Sequence, residues 1–185
     1  MDLPHITLVS FTFFEKSFLK KVADIIRYET NHNVKIREGH LDLTDFFDPA
    51  RRQYNADKIL KAVDDLYGND SLKIIGLFNV DLFIPILTYI FGQAYLNGRT
   101  SIVSSYRLSN EGYGLKRDDN MFQERFAKEI IHELGHTLGL IHCHYPACVM
   151  RSGTYVEDID QKGTAFCSAC RLILSETGKS LKTGV

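Results

Sequence analysis

HELGHTLGLIH, residues 132–142, sits inside a segment whose apolar residues recur at helical spacing. That combination restricts the fold more than any other stretch of the chain. Met121, Phe122, Phe126, Ile130, Ile131, Leu134 and Leu138 form one broad stripe, and Asp118, Asp119 or Asn120 can cap its start. A helix of about twenty residues runs about 30 Å, enough to cross the core of a domain. His132 and His136 are four apart, so they project from one face and can share a metal ion. Glu133 stands one position further round, beside that ion. Gly139 tolerates a left-handed conformation, so the helix can end there and the chain can turn to bring His142 back as a third ligand. Three imidazoles leave the fourth tetrahedral position of zinc to water, which is the arrangement of a catalytic site. Zinc lowers the pKa of its water toward ~7 and polarises a carbonyl. Glu133 would accept the proton of that water and pass it to a leaving amine. A bare H-E-x-x-H is only suggestive; the extended H-E-x-x-H-x-x-G-x-x-H on an amphipathic helix is far more specific.

Cys143, Cys148, Cys167 and Cys170 all lie in the last 43 residues. The spacing is C-x4-C, eighteen residues, then C-x2-C. Two short-spaced pairs of thiolates read as a closed tetrahedral zinc site, structural in role, because a small lobe has little core and gains folding energy from metal. In a secreted chain the same cysteines would read as two disulfides. A redox role for Cys167 and Cys170 is disfavoured because no clear helix opens at them.

The remainder predicts an α+β fold with a mixed sheet and helices packed on it. Residues 5–13, 33–38, 72–78 and 100–108 read as strands, the third a continuous apolar run suited to burial on both faces. Residues 15–29 and 55–67 read as helices, the second capped by Asn55 and stopped at Gly68–Asn69–Asp70. The 185 residues fit one domain, and 22 basic against 23 acidic residues give no reason to expect nucleic acid or an anionic membrane as partner. The apolar stretch 82–92 is too short to span a bilayer, and residues 1–14 read as a strand rather than a signal peptide, so a cytoplasmic protein is expected, as a monomer. Gly178–Lys179–Ser180 ends like a phosphate-binding loop but lacks the upstream glycine.

HELGHTLGLIHC, then Cys148–Val149–Met150, then CSAC at 167–170, make this chain resemble the metzincin metallopeptidases and, more narrowly, the archaemetzincins. The specific part covers residues 132–170, about a fifth of the chain. The resemblance implies that His132, His136 and His142 bind a catalytic zinc, that Glu133 is the base, and that the four cysteines bind a second, structural zinc. It implies that Met150 is the methionine of a turn beneath the catalytic metal. It also implies a zincin-like architecture. An upper subdomain, 1–142, carries a twisted sheet and the active-site helix, and a small irregular lower subdomain, 143–185, carries the cysteines. A peptide or protein substrate would lie between them, paired with an edge strand. Residues 100–107 are nominated for that edge, with an interior strand as the equal alternative.

The expected function is hydrolysis of peptide bonds, endopeptidase or aminopeptidase. An aminopeptidase needs a carboxylate near the cleft, for which Asp81, Glu111, Asp118 and Glu157 are unranked candidates. The alternative is a peptide-binding or regulatory module that keeps the metal and turns over little. A purely structural two-zinc domain has no use for Glu133 or an open coordination position.

Overall fold

The computed structural model describes residues 4–68 and 71–176. Asn69, Asp70 and the Gly178–Lys179–Ser180 segment lie outside the described residues. In chain order the elements are β1 (His5–Ser10), α1 (Lys16–Thr30), β2 (Asn33–Glu38), β3 (Phe47–Asp48), β4 (Gln53–Asn55), α2 (Ala56–Tyr67), β5 (Lys73–Phe78), β6 (Leu82–Phe83), β7 (Gly92–Ala94), β8 (Thr100–Ser104), α3 (Asp119–Thr137), α4 (Val156–Gln161) and α5 (Ser168–Glu176).

Five strands form one sheet in the order β2-β1-β5-β8-β7, parallel except for β7. β5 is central and every one of its residues is buried, the apolar run 74–78 on both faces and Lys73 by donating to the Gly98 and Thr137 carbonyls. Alternate residues feed two cores. Ile6, Leu8, Ile75, Leu77 and Val103 meet α1 and α3 on one face, while Val9, Ile74, Phe78 and Ile102 meet α2 on the other. β3, β4 and β6 make a second, three-stranded sheet beside the first.

The nomination of 100–107 as an edge is corrected: β8 ends at Ser104 and is an interior strand between β5 and β7. Ser105 N–H bonds the Phe78 carbonyl, and Arg107 turns away to clasp Asp81 with two hydrogen bonds. The edge on that side of the sheet is β7, which the sequence hides because three residues, Gly92–Gln93–Ala94, carry no strand periodicity.

Asp118 caps α3 by accepting from Met121 N–H, as does Asn55 at α2 from Lys58 N–H. Among the described residues beyond α3 there are two short helices, so the tail has more regular structure than its pattern predicts. It is locked to α3 from below. Arg125, 4% exposed, clasps Asp160 through two 2.7 Å bonds and also donates to the Leu108 carbonyl. Among the described residues no helix is long and apolar enough to cross a membrane.

Candidate metal centre and cleft

α3 delivers His132, Glu133 and His136 to one side of its last two turns, and the chain then reverses. Gly139 takes φ 95°, and Leu140 N–H returns to the Gly135 carbonyl at 3.0 Å, so the helix stops there and His142 swings back. The three ring centroids lie 4.7, 5.3 and 5.0 Å apart, with one ligand nitrogen from each within 4.8 Å of the others. His132 Nδ1 donates to the Val149 carbonyl and His136 Nδ1 to the Leu140 carbonyl, each at 2.8 Å. Those bonds fix the tautomers and leave both Nε2 atoms as acceptors. The two Nε2 atoms face one another at 3.1 Å. Two lone pairs at that distance repel unless a cation stands between them. Burial is the main cause holding all three imidazoles below their ordinary pKa, with the Lys162 charge adding to the effect, so they stay neutral and fit for ligation. The donor set therefore fits zinc.

Glu133 is buried against β7. Burial first, then the neighbouring Glu129 charge, raises its proton affinity well above the carboxylate range, and Lys162 opposes the rise. A Cβ built on Gly92 would stand 2.6 Å from Glu133 Cγ and 2.8 Å from the Ile102 carbonyl oxygen. Only glycine lets the edge strand approach the acid this closely. Gly92→Ala is therefore expected to cost at least about tenfold in kcat/KM, since small displacements at a reacting centre carry penalties of that order or larger. Steady-state kinetics check it, with circular dichroism to confirm the fold.

Below α3, Cys148 to Arg151 makes a tight turn closed by a 3.0 Å bond from Arg151 N–H to the Cys148 carbonyl. Met150 is fully buried, and a Cβ on Gly135 would collide with its Sδ and approach the Phe166 ring to 3.0 Å. Gly→Ala inside a helix normally stabilises by up to ~1 kcal/mol. At Gly135 the sign should reverse, with a loss of about 1–3 kcal/mol from overpacking, read as a lower Tm.

The four cysteines also converge, each offering a sulfur within 4.8 Å of the rest. Cys143 and Cys167 Sγ lie 3.8 Å apart, and Cys148 and Cys170 Sγ 3.7 Å apart. These are not disulfide distances. Tyr145 N–H and Cys167 N–H point at Cys143 and Cys148 sulfurs, each at 3.4 Å, as donors that favour thiolate. Burial pushes the Cys148 and Cys170 thiols above their ordinary value, an opposition that a divalent cation overcomes. Contrary to expectation, a helix does open here: α5 begins at Ser168, between Cys167 and Cys170.

A cleft of about 660 Å³ runs over the three histidines. Its upper rim is Ile84 and Leu87 to Ala94, including the edge strand, and its lower rim is Ser152 to Tyr155. Tyr89 OH donates across it to the Thr154 carbonyl at 3.0 Å, and Arg107 lies 4.2 Å over the Tyr89 ring. Among the described residues the cleft wall carries none of Asp81, Glu111, Asp118 or Glu157. Asp81 is bound by Arg107 and Gln53, and Asp118 is spent on the helix cap. The carboxylate that joins Glu133 in the wall is Glu129, backed by Lys162. Glu129 was findable: it stands three residues before His132 and four before Glu133, on the same helix face. Lys162 comes from thirty residues away and left no local signal.

Comparison with known proteins extends the resemblance to nearly the whole chain. The family described as Peptidase family M54 matches residues 6–176. The archaemetzincin of Saccharolobus solfataricus is 32% identical over 178 residues, 96% of each chain. That of Sulfolobus acidocaldarius is 40% identical over 144 residues, 76% of this chain and 78% of the other. The crystal structure of archaemetzincin from Methanopyrus kandleri superposes with a TM-score of 0.83 at 30% identity, covering 95% of this chain and 96% of that one. A zinc-dependent peptidase from Methanocorpusculum labreanum gives 0.81 at 30% identity, over 91% and 99%. With a family match over most of its length and the same fold, the chain belongs to Peptidase family M54, the archaemetzincins, and is a zinc metallopeptidase.

Proposed function

We propose that the chain hydrolyses peptide bonds at His132, His136 and His142, that these three hold one zinc ion, and that Glu133 is the general base. The observation that carries the reading is the pair of Nε2 acceptors 3.1 Å apart beside a buried carboxylate. When bound there, zinc supplies Lewis-acid activation of water and of the scissile carbonyl. The chain supplies the rest. Glu133, enclosed between α3 and β7, takes the proton of the attacking water and returns it to the departing amine, so no charged amide is expelled. The carbonyls of Val149 and Leu140 hold the two rings on α3 in register. β7 offers its free edge to an extended peptide, which gains main-chain hydrogen bonds along Gly92–Ala94 and apolar contact with Ile84, Leu87 and Phe91 on the rim.

Cys143, Cys148, Cys167 and Cys170 hold a second, structural zinc in this reading, giving two ions per chain. The reading keeps an upper part, 1–142, and a lower part, 143–185; supporting it, the cleft floor is α3 and the lower rim comes from the segment after Met150. Thiolate ligation needs reduced cysteines, which suits a cytoplasmic protein. A mixed peptide library incubated with the zinc-loaded protein, with and without a chelator, tests the activity. Cleavage abolished by the chelator and restored by zinc is expected. Intact peptides in every arm would overturn the reading.

A further inference from the structure

Two buried charges at the floor of the cleft, Glu129 and Lys162, are neither among the proposed metal ligands nor the proposed base. Glu129 lies one helical turn before Glu133 and lines the cleft, although the residue is only 5% exposed. The Lys162 side chain is 1% exposed. Its Nζ stands 2.9 Å from Glu129 Oε1, 3.2 Å from the Arg151 carbonyl oxygen and 3.3 Å from His132 Nδ1. Protein groups therefore enclose the ammonium. Glu129 is less well served. Oε1 lies closed against the ammonium, in an alignment that gives it no hydrogen bond, so a ligand in the cleft would meet Oε2. A carboxylate has about four acceptor positions, and leaving a buried one unfilled costs on the order of 1–3 kcal/mol. The spare capacity in this corner is thus acceptor capacity, and it belongs to Glu129.

The consequence for an incoming peptide follows from what each group would bring. An apolar side chain would strip water from Glu129 and return nothing. An acidic one would set like charge against like, with Lys162 too deeply covered to receive it. A lysine or arginine side chain, or a free α-amine, brings both donors and opposite charge.

We propose that Glu129 is a specificity-determining residue of the cleft, accepting hydrogen bonds from a cationic group of the peptide while Lys162 holds the carboxylate in place. The inference rests on the peptidase reading above. Two sources can supply that cation, and the run of the cleft distinguishes them. Gly92 packs on Glu133, and Asn97 N–H bonds the His136 carbonyl at 2.8 Å, so β7 and α3 run side by side with Glu129 at the Phe91 end. A peptide antiparallel to β7 carries there the side chain on the leaving-amine side of the scissile bond. A peptide parallel to β7 carries its amino terminus there.

The experiment measures binding in zinc-loaded Glu133→Gln protein by calorimetry, and kcat/KM in the zinc-loaded native protein. Paired peptides differ by lysine against norleucine, or arginine against citrulline, on either side of the scissile bond, and each is made with a free and an acetylated amine. At least tenfold preference for the cationic member is expected in one arm, equivalent to ~1.4 kcal/mol. A side-chain preference assigns the antiparallel pose, and an amine preference assigns the parallel one. Adding Glu129→Gln should reduce the ratio to within twofold. Because that change leaves Lys162 buried without its carboxylate, Glu129→Gln/Lys162→Met repeats the test with both charges removed, its fold checked by circular dichroism. Equal affinities in every arm overturn the proposal, as does a preference that survives either Glu129 variant. Failure of the peptidase reading has a different signature, binding discrimination intact with no peptide cleaved.

Discussion

Glu133→Gln should lower kcat by about a hundredfold to ten-thousandfold, the range a positioned general base contributes, while zinc stays bound. The amide matches the carboxylate in shape, so the packing of Gly92 against it survives. What it cannot do is accept a proton. Glu133 is 5% exposed, so bulk water has no ready route to substitute for it. The paired measurement is turnover of a peptide substrate alongside metal analysis of the same preparation. Turnover within tenfold of the native protein, with zinc retained, would remove Glu133 from the base role. Loss of zinc together with turnover would instead mean that Glu133 supports the ligands.

Cys170→Ser should have the largest effect on folding. Cys170 is 4% exposed and belongs to the same core as Met150, Val156, Phe166 and Leu174. That core has few large apolar side chains below α3, and the convergence of four sulfurs stands in for them. A serine at Cys170 is a poor zinc ligand and a buried hydroxyl, and the metal it forfeits contributes folding energy outright. The expected outcome is a fall in Tm of more than about 10 °C, corresponding to a loss of more than ~3 kcal/mol for a chain of this length. The variant should lose half its zinc, and the His132 geometry should loosen, because the Val149 carbonyl that orients the ring follows directly after Cys148. Thermal unfolding with zinc analysis reads both. A Tm unchanged to within 2–3 °C, the shift expected from less than ~1 kcal/mol, would show that the cysteines are not a structural metal site.

The residues differ in how much of this was written locally. α3, the stop at Gly139 and the convergence of three histidines follow from spacing, since helix geometry converts a four-residue interval into a shared face, whereas the choice of Asp118 among three candidate caps needed the structure. β5 was readable because Ile74 to Phe78, buried on both faces, has no polar residue to alternate with. Edge and interior are properties of neighbouring strands, so β8 and β7 could not be told apart along the chain. β3, β4 and β6 are too short to show a period. α4 and α5 bury only two residues each, Val156 and Ile159 in one and Cys170 and Leu174 in the other, too few for a stripe. Glu129 shares a helix face with His132 and Glu133 and was findable by that spacing, whereas Lys162 comes from thirty residues away and left no local signal. The four carboxylates nominated for amine capture failed because a cleft is assembled from distant segments, and proximity in sequence to an apolar rim says nothing about which side chains face it.

The central claim is that three imidazoles share one ion with a position left open, and that four sulfurs share another. Anomalous diffraction at the zinc edge from crystals of the zinc-loaded protein tests this most directly. Two peaks per chain are predicted, one bound by His132, His136 and His142 with no fourth protein ligand, and one enclosed by Cys143, Cys148, Cys167 and Cys170. No peak among the three histidines, or a peak there with a fourth side chain bound to it, would contradict the account.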